Sequence, residues 1–545
     1  MRFDRAIDPF IPTRRQFLIA AGVAASGLAL AGTGEAGAAM ASPIKSASVS
    51  DKQITFNLTG SGRFSLFAFP VFADSRTAAA ANQVWQGEIH GDTLAAIDRF
   101  AGHVDRLFCQ FQLFDNSSGK PLGSRRFIND LRQLVSSPPA LAWPTSIKGV
   151  SCPVDVKDLA ELGVKHTHIN LSASSLVRVE ESKRDDGFSR VVDGRRIWFN
   201  PGEVRGLDRQ IRELTDAGIN AVGVVVNHTQ IPGVLTHPKT DLNRAPNKMG
   251  AFNLTNEDGV LHFRALIEFL SDRYCRSNKQ YGSVGGWIIG NEVQSHWEWH
   301  NIGPASLEEV ARQYADELRL AWCAVRNAGA DVPVFASFDH FWSIAASKDT
   351  THHRPGRMLV DALAALSASE GNFPWNIAQH PYPENLFQPK FWNDKSATFA
   401  FDSPRITFKN VEVLAAYLQR KEMLFDGKSR RLIFSEQGLH AGDTPDSEQV
   451  QAAAYALAYR RLSLIPGVEA FILHRQQDAR GEGGLKLGIW PLTGTGPGKP
   501  KRPIWNVVKF ADTAQWQEAS NFALPIVGLN DWSQANPRSG PFPGA

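Results

Sequence analysis

From residue 146 onward the chain keeps one rhythm: a short apolar run, a stretch with apolar residues at helical spacing, then another short apolar run. That alternation predicts a parallel sheet built from strand and helix units, and the number of units decides how it closes. Apolar runs fall at 147–151, 164–171 and 221–226, then at the run ending in Asn291-Glu292, then at 332–338 and 375–378, at the run ending in Ser435-Glu436, and at 468–473. Helical spacing fills the gaps at 154–162, 204–217, 261–274, 306–326, 358–367, 411–424 and 450–463, with a last segment at 504–513. Eight units predict an α/β fold, a (β/α)8 TIM barrel, whose strand carboxyl ends all open onto one mouth.

Local signals agree with that count. Leu207, Ile211 and Leu214 share one helical face and the pattern stops at Gly218, as helices prefer. Ser306 followed by Glu309 reads as a capping box. Asp193-Gly194, between apolar runs at 191–192 and 197–199, predicts a hairpin inserted after the second strand.

The region before the barrel has a different texture. Short runs at 54–58, 64–72 and 106–114, separated by Gly60-Ser61-Gly62 and by the turn residues at 115–119, predict a small all-β sandwich domain over 42–131. Its role is read as a structural cap on the barrel, with carbohydrate binding as the alternative. A proline-marked linker covers 132–145, the barrel 146–515 and a C-terminal extension 516–545.

At the front, Arg14-Arg15 precedes an alanine-rich apolar run to Gly32 and small residues at 36–41. This predicts a twin-arginine export signal over 1–41 and a periplasmic or secreted protein. The apolar run is short for a membrane span, so no stable anchor is expected, and no cysteine stands at the cleavage region to take a lipid. A net charge of +3 over 545 residues carries no nucleic-acid footprint. Cys109, Cys152, Cys275 and Cys323 lack C-x-x-C spacing and read as buried free thiols, with two bridges as the alternative.

Chemistry is marked by acids at strand ends. Glu292 and Glu436 each terminate an apolar run, where a carboxylate is expensive unless it has a partner or a task. Two carboxylates facing one another across a barrel mouth are what glycoside hydrolysis uses, one as proton donor and one as nucleophile or base. The bland alternative is a pair of buried structural acids, with Arg475 as a candidate partner. Asn227, His228, His380, Tyr382, His474 and Arg475 end other strands and are candidate sugar contacts. Asn227-His228, Asp339-His340 and His380 also raise a metal hydrolase as an alternative, but no segment has the local spacing of a zinc site, so neither metal nor cofactor is expected. Trp297, Trp299 and Trp490 are candidate stacking platforms for a sugar ring, or core. The loop at 383–409, with Phe387, Phe391, Trp392, Phe399 and Phe401, is either a wall over the mouth or a packed flap.

Asn291-Glu292 on the fourth strand and Glu436 on the seventh resemble the clan of retaining glycoside hydrolases, within it a bacterial family labelled as a domain of unknown function. The resemblance covers about 146–513. It implies that Glu292 is the general acid/base, that Glu436 is the nucleophile, and that Asn291 holds the sugar hydroxyl beside the anomeric carbon. It also implies that His380 or Tyr382 orients Glu436. Two departures stand out: Asn170-Leu171-Ser172 where many members carry an arginine, and His474-Arg475 where many carry a tryptophan. The implied activity is hydrolysis of a β-linked oligo- or polysaccharide with retention. A non-catalytic glycan-binding protein and a transglycosylase are the alternatives; keeping both carboxylates favours an enzyme.

Overall fold

The computed structural model describes residues 43–73, 82–136, 138, 141–179 and 187–544. The predicted export signal and part of the linker lie outside them.

Eight parallel strands close into a barrel: Lys148–Val150, His166–Ser172, Asn220–Val226, Val284–Ile289, Val334–Phe338, Trp375–Gln379, Leu432–Gln437 and Val468–Leu473. Each pairs in parallel with the next, and the eighth returns to the first through Phe471–Lys148, Ile472–Gly149 and Leu473–Val150. The strands read as nearly unbroken apolar runs because both faces are covered. Val222, Val224, Ile288, Phe335, Ala378, Ile433, Ala470 and Ile472 fill the barrel interior. Their neighbours one residue along, such as Ala221, Val225, Ile289, Ala336, Ile377 and Phe471, join the larger core under the helices. That is the period of two a strand imposes. Gly223 belongs to this packing, since a Cβ there would stand 2.4 Å from the Trp287 ring.

Helix bounds differ from the predicted ones where caps decide. The helix expected at 204–217 begins three residues earlier, as Pro201–Asp216, because Asn200 accepts from Gly202 N and Pro201 fits the first turn. Asn256 likewise starts Glu257–Tyr274 ahead of the expected 261. Leu307–Asn327 carries both bonds of the capping box. The segment expected at 411–424 stays helical only over Val411–Tyr417 before the chain turns into a short 3-10 helix, Lys421–Met423. The inserted hairpin pairs Ser189–Val192 with Arg195–Phe199 across Asp193-Gly194, both at positive φ.

The N-terminal all-β domain is a five-stranded antiparallel sheet. Gly60-Ser61-Gly62, expected as a turn between two strands, instead lies inside one long strand, Gln53–Pro70. That strand pairs along most of its length with Gln83–Asp98, Gly60 facing Gly91. Its other edge is shared: the first half pairs with Ile44–Val49 and the second with Cys109–Asp115. Gly60 and Gly62, at φ +153° and +130°, let the strand bend between the halves. Phe56 of the first half then meets Phe111, on the strand paired with the second half, at 4.8 Å. The domain docks on the barrel's helices, where Arg264 lies 3.6 Å above the Phe108 ring while pairing with Asp193 at 2.7 Å. Among the described residues no helix is long and apolar enough to cross a membrane.

Candidate active site

The fourth strand delivers Glu292 to the mouth through a strained turn. Gly290 sits at φ +70°, where a Cβ would stand 2.9 Å from the His300 ring, and Glu292 itself is left-handed at φ 40°, ψ 51°. A non-glycine residue there costs about 1–3 kcal/mol and persists only when its surroundings hold it. Ser337 of the fifth strand does so, accepting the Glu292 N–H at 3.0 Å. The side chain is buried, with Oε1 2.8 Å from His380 Nδ1.

The seventh strand delivers Glu436 through a bulge. Phe434 pairs with Phe471 but Gln437 pairs with Leu473, so three steps on one strand match two on its neighbour. The extra residue falls at Ser435-Glu436 and re-aims both side chains. Tyr382 donates its hydroxyl to Glu436 Oε1 at 3.0 Å, and Ser435 Oγ lies 3.0 Å from His380 Nε2. The expected choice between His380 and Tyr382 as the partner of Glu436 thus resolves into two tasks. Tyr382 holds Glu436, while His380 spans Ser435 and Glu292. An oxygen of Glu292, a nitrogen of His380 and an oxygen of Glu436 all lie within 4.8 Å of one another.

Asp339 completes the acidic pair and was not among the expected site residues. It ends the fifth strand, accepting from Ser295 Oγ at 2.6 Å and from Phe341 N at 2.7 Å. Burial, and then the adjacent Glu292 carboxylate, push its carboxyl well above the ordinary range. Two carboxylates buried side by side cannot both ionise easily. Its signal was present in the sequence: Asp339-His340 terminates a strand at the same mouth.

Glu292, Asp339 and Tyr382 border a cleft of about 1550 Å³ that Trp299, His340, Phe341, Phe387 and Leu485 also help to line, while Glu436 and His380 are not among its lining residues. Trp299 is the expected tryptophan that reaches the cleft, and its buried Nε1 has no partner among the described residues. Asn291 is half-buried beside Glu292. His228 is also half-buried, 3.2 Å from Ser172 Oγ, and burial lowers its pKa to about 4. Asn227 points instead into the loop that follows its strand, donating to Leu235 O at 3.0 Å, so its task is to fix that loop.

Two tryptophans are corrections. Trp490 is core: it is 4% exposed and its indole donates to Asp158 Oδ2 at 2.9 Å, on the first helix. Trp297 stacks at 3.8 Å on His352, outside the residues that line the cleft. Arg475 pairs with Glu482 at 2.7 Å. The aromatic loop divides: 384–387 line the cleft. Phe391 packs on Phe408, and Phe401 on Tyr417 and Phe542.

A second polar cluster lies where the eighth, first and second strands meet. Cys152, at φ 53°, follows the first strand and places Sγ 3.8 Å from His474 Nδ1. His474 Nε2 lies 3.0 Å from Glu482, and His168 Nδ1 lies 2.7 Å from the Ser435 carbonyl. Burial alone would raise the Cys152 thiol, but His474 and Arg475 bring it down to about 6. All four cysteines are free thiols.

Residues 140–535 match the Family of unknown function (DUF5722), and the chain belongs to that family. No curated protein sequence matches it. Among solved structures it is similar to a family 39 glycoside hydrolase from Bacteroides cellulosilyticus WH2, at 13% identity and TM-score 0.43, over 84% of this chain and 79% of that one. It is also similar to a hyperthermophilic beta-glucosidase from Pyrococcus furiosus, at 15% identity and TM-score 0.42, over 68% of this chain and 87% of that one. A third is GH5_18 from Bifidobacterium longum subsp. longum, at 14% identity and TM-score 0.40, over 69% of this chain and 80% of that one.

Proposed function

We propose that this member of the DUF5722 family is a glycoside hydrolase that cleaves its substrate with retention, Glu436 acting as nucleophile and Glu292 as acid/base. One observation carries the reading: the Glu292 and Glu436 carboxylates approach within 4.8 Å across the mouth of a closed barrel. Retaining enzymes hold their two carboxyl groups about 5 Å apart, whereas inverting ones leave roughly 6.5–9.5 Å for a water.

In the first step Glu436 attacks the anomeric carbon while the bond to the leaving oxygen breaks, and Glu292 gives that oxygen a proton. In the second, Glu292 takes a proton from water as the water attacks the same carbon and Glu436 departs. The surrounding groups suit those roles. Tyr382 fixes the attacking carboxylate. His380 ties the acid/base to the seventh strand, so the two carboxylates keep their spacing. Asp339, whose carboxyl is raised by burial and by Glu292, adds little like charge beside the acid/base. Trp299 offers an apolar surface to a sugar ring in the cleft. The β configuration of the bond rests on the resemblance of the Asn291-Glu292 and Glu436 motifs.

The test is intact-mass and peptide analysis after incubation with a panel of 2-fluoro glycosides. A sugar attached to Glu436 is expected, identifying the accepted sugar and the nucleophile together. An adduct on another residue, or turnover that survives Glu436→Ala, would overturn the assignment. Azide should restore that variant and give the inverted glycosyl azide.

A further inference from the structure

The cluster of Cys152, His168 and His474 takes no part in the chemistry above, yet its donors are arranged with unusual economy. One nitrogen of each imidazole and the Cys152 sulfur all lie within 4.8 Å of one another. The other nitrogen of each ring is already occupied. His168 Nδ1 is 2.7 Å from a backbone carbonyl, which only accepts, so that nitrogen carries the proton and Nε2 is left with its lone pair. His474 Nε2 is 3.0 Å from the Glu482 carboxylate, which leaves Nδ1 as the inward atom, 3.8 Å from Cys152 Sγ. The outward nitrogens rest on a carbonyl and a carboxylate and the inward nitrogens converge with the thiol, the arrangement of the outer shell of a histidine-ligated metal.

We propose that Cys152, His168 and His474 bind a divalent zinc ion. One thiolate and two imidazoles are borderline-soft donors, suited to Zn²⁺ and poor for Mg²⁺ or Ca²⁺, and three protein ligands leave a fourth tetrahedral position. Ser151 Oγ, 3.0 Å from His474 Nδ1, stands beside the cluster as a hydrogen-bond partner for what fills that position. The spacing is compatible: an ion about 2.0–2.3 Å from each donor holds sulfur and nitrogen roughly 3.5 Å apart, close to the 3.8 Å found.

The site would have structural reach. It joins three neighbouring strands of the barrel, and through His168 it holds the Ser435 carbonyl, one residue from Glu436. The zinc is therefore a positioning device for the seventh strand and is separate from the carboxylate pair. It stands or falls independently of the glycosidase reading.

Co²⁺ substitution of the full chain tests it, with readouts other than activity. One Co²⁺ per chain is expected, with a sulfur-to-cobalt charge-transfer band in the near ultraviolet that Zn²⁺ erases by displacement and Cys152→Ser abolishes. Glu482→Gln should weaken Zn²⁺ binding about 10- to 100-fold, since it removes the carboxylate behind His474. In the unaltered protein Zn²⁺ should protect Cys152 from iodoacetamide and raise Tm. The Glu292, His380 and Glu436 group contains no sulfur, so Co²⁺ bound there gives no such band. Metal bound without the band, a band that survives Cys152→Ser, or equal Cys152 alkylation with and without Zn²⁺ would overturn the proposal, leaving a thiolate–imidazolium pair.

Discussion

Tyr382 donates its hydroxyl to Glu436 Oε1 at 3.0 Å, on the first loop residues after the sixth strand. That bond steadies the carboxylate as it attacks and as it leaves. Tyr382→Phe should fold with unchanged Tm and lose about 10²-fold in kcat, the scale of one preorganised donor at a reacting charge. Steady-state kinetics on an aryl glycoside checks it; a change in KM alone would make Tyr382 a binding residue.

Glu292 should act on the leaving group. Glu292→Ala is expected to slow substrates with poor leaving groups by about 10²–10⁴-fold while sparing the first step on activated aryl glycosides, whose leaving oxygen needs no proton. Rates across a series of phenols of different acidity separate the cases. An equal loss over the whole series would remove Glu292 from the acid role.

Asp339 bears on the pH profile. Its carboxyl is raised by burial and by Glu292, so it holds its proton to higher pH than a free aspartate does. Asp339→Asn holds that position neutral at every pH, and the part of the kcat/KM profile that follows the Asp339 proton should be lost. A profile that does not move would make Asp339 a structural anchor for Ser295 and Phe341.

What was legible in the sequence follows from topology. Glu292 and Glu436 could be brought together on paper because every strand of such a barrel ends at one mouth. Asp339 obeys the same rule, ending the fifth strand at that mouth. Side-chain direction in loops obeys no such rule. Trp490 and Trp299 look alike in sequence, and only the packed structure sends one to Asp158 and the other to the cleft. The Cys152 cluster was hidden for the same reason that spacing cannot reveal ligands from three separate strands.

Trp490 therefore makes its own prediction. Asp158 accepts from Trp490, Trp505 and Gln476, all at 2.9 Å, binding the first helix to the segments after the eighth strand. Trp490→Phe should lower stability by about 1–3 kcal/mol and leave KM unchanged, since the loss is a buried hydrogen bond and packing. Denaturant unfolding beside a KM measurement decides it, and a raised KM at full stability would return the residue to the sugar site.

Asp394 links the loop after the sixth strand to pH. It is 4% exposed, and burial raises its carboxyl to about 7 although the Thr407 hydroxyl and the Glu384 amide pull the other way. An unfolded aspartate releases its proton near pH 3.9, so between about pH 4 and 7 the folded chain holds a proton that the unfolded chain has lost. The stabilisation is complete below that window and disappears as pH rises through it. Asp394→Asn keeps the neutral form at every pH. It should match the parent at about pH 4 and below and exceed it by about 2–4 kcal/mol near pH 8. The comparison is the difference in Tm between the two proteins at each pH, which cancels the titration of other groups. A difference independent of pH would mean that Asp394 stays ionised within the fold, and the loop over the cleft would then owe nothing to its protonation.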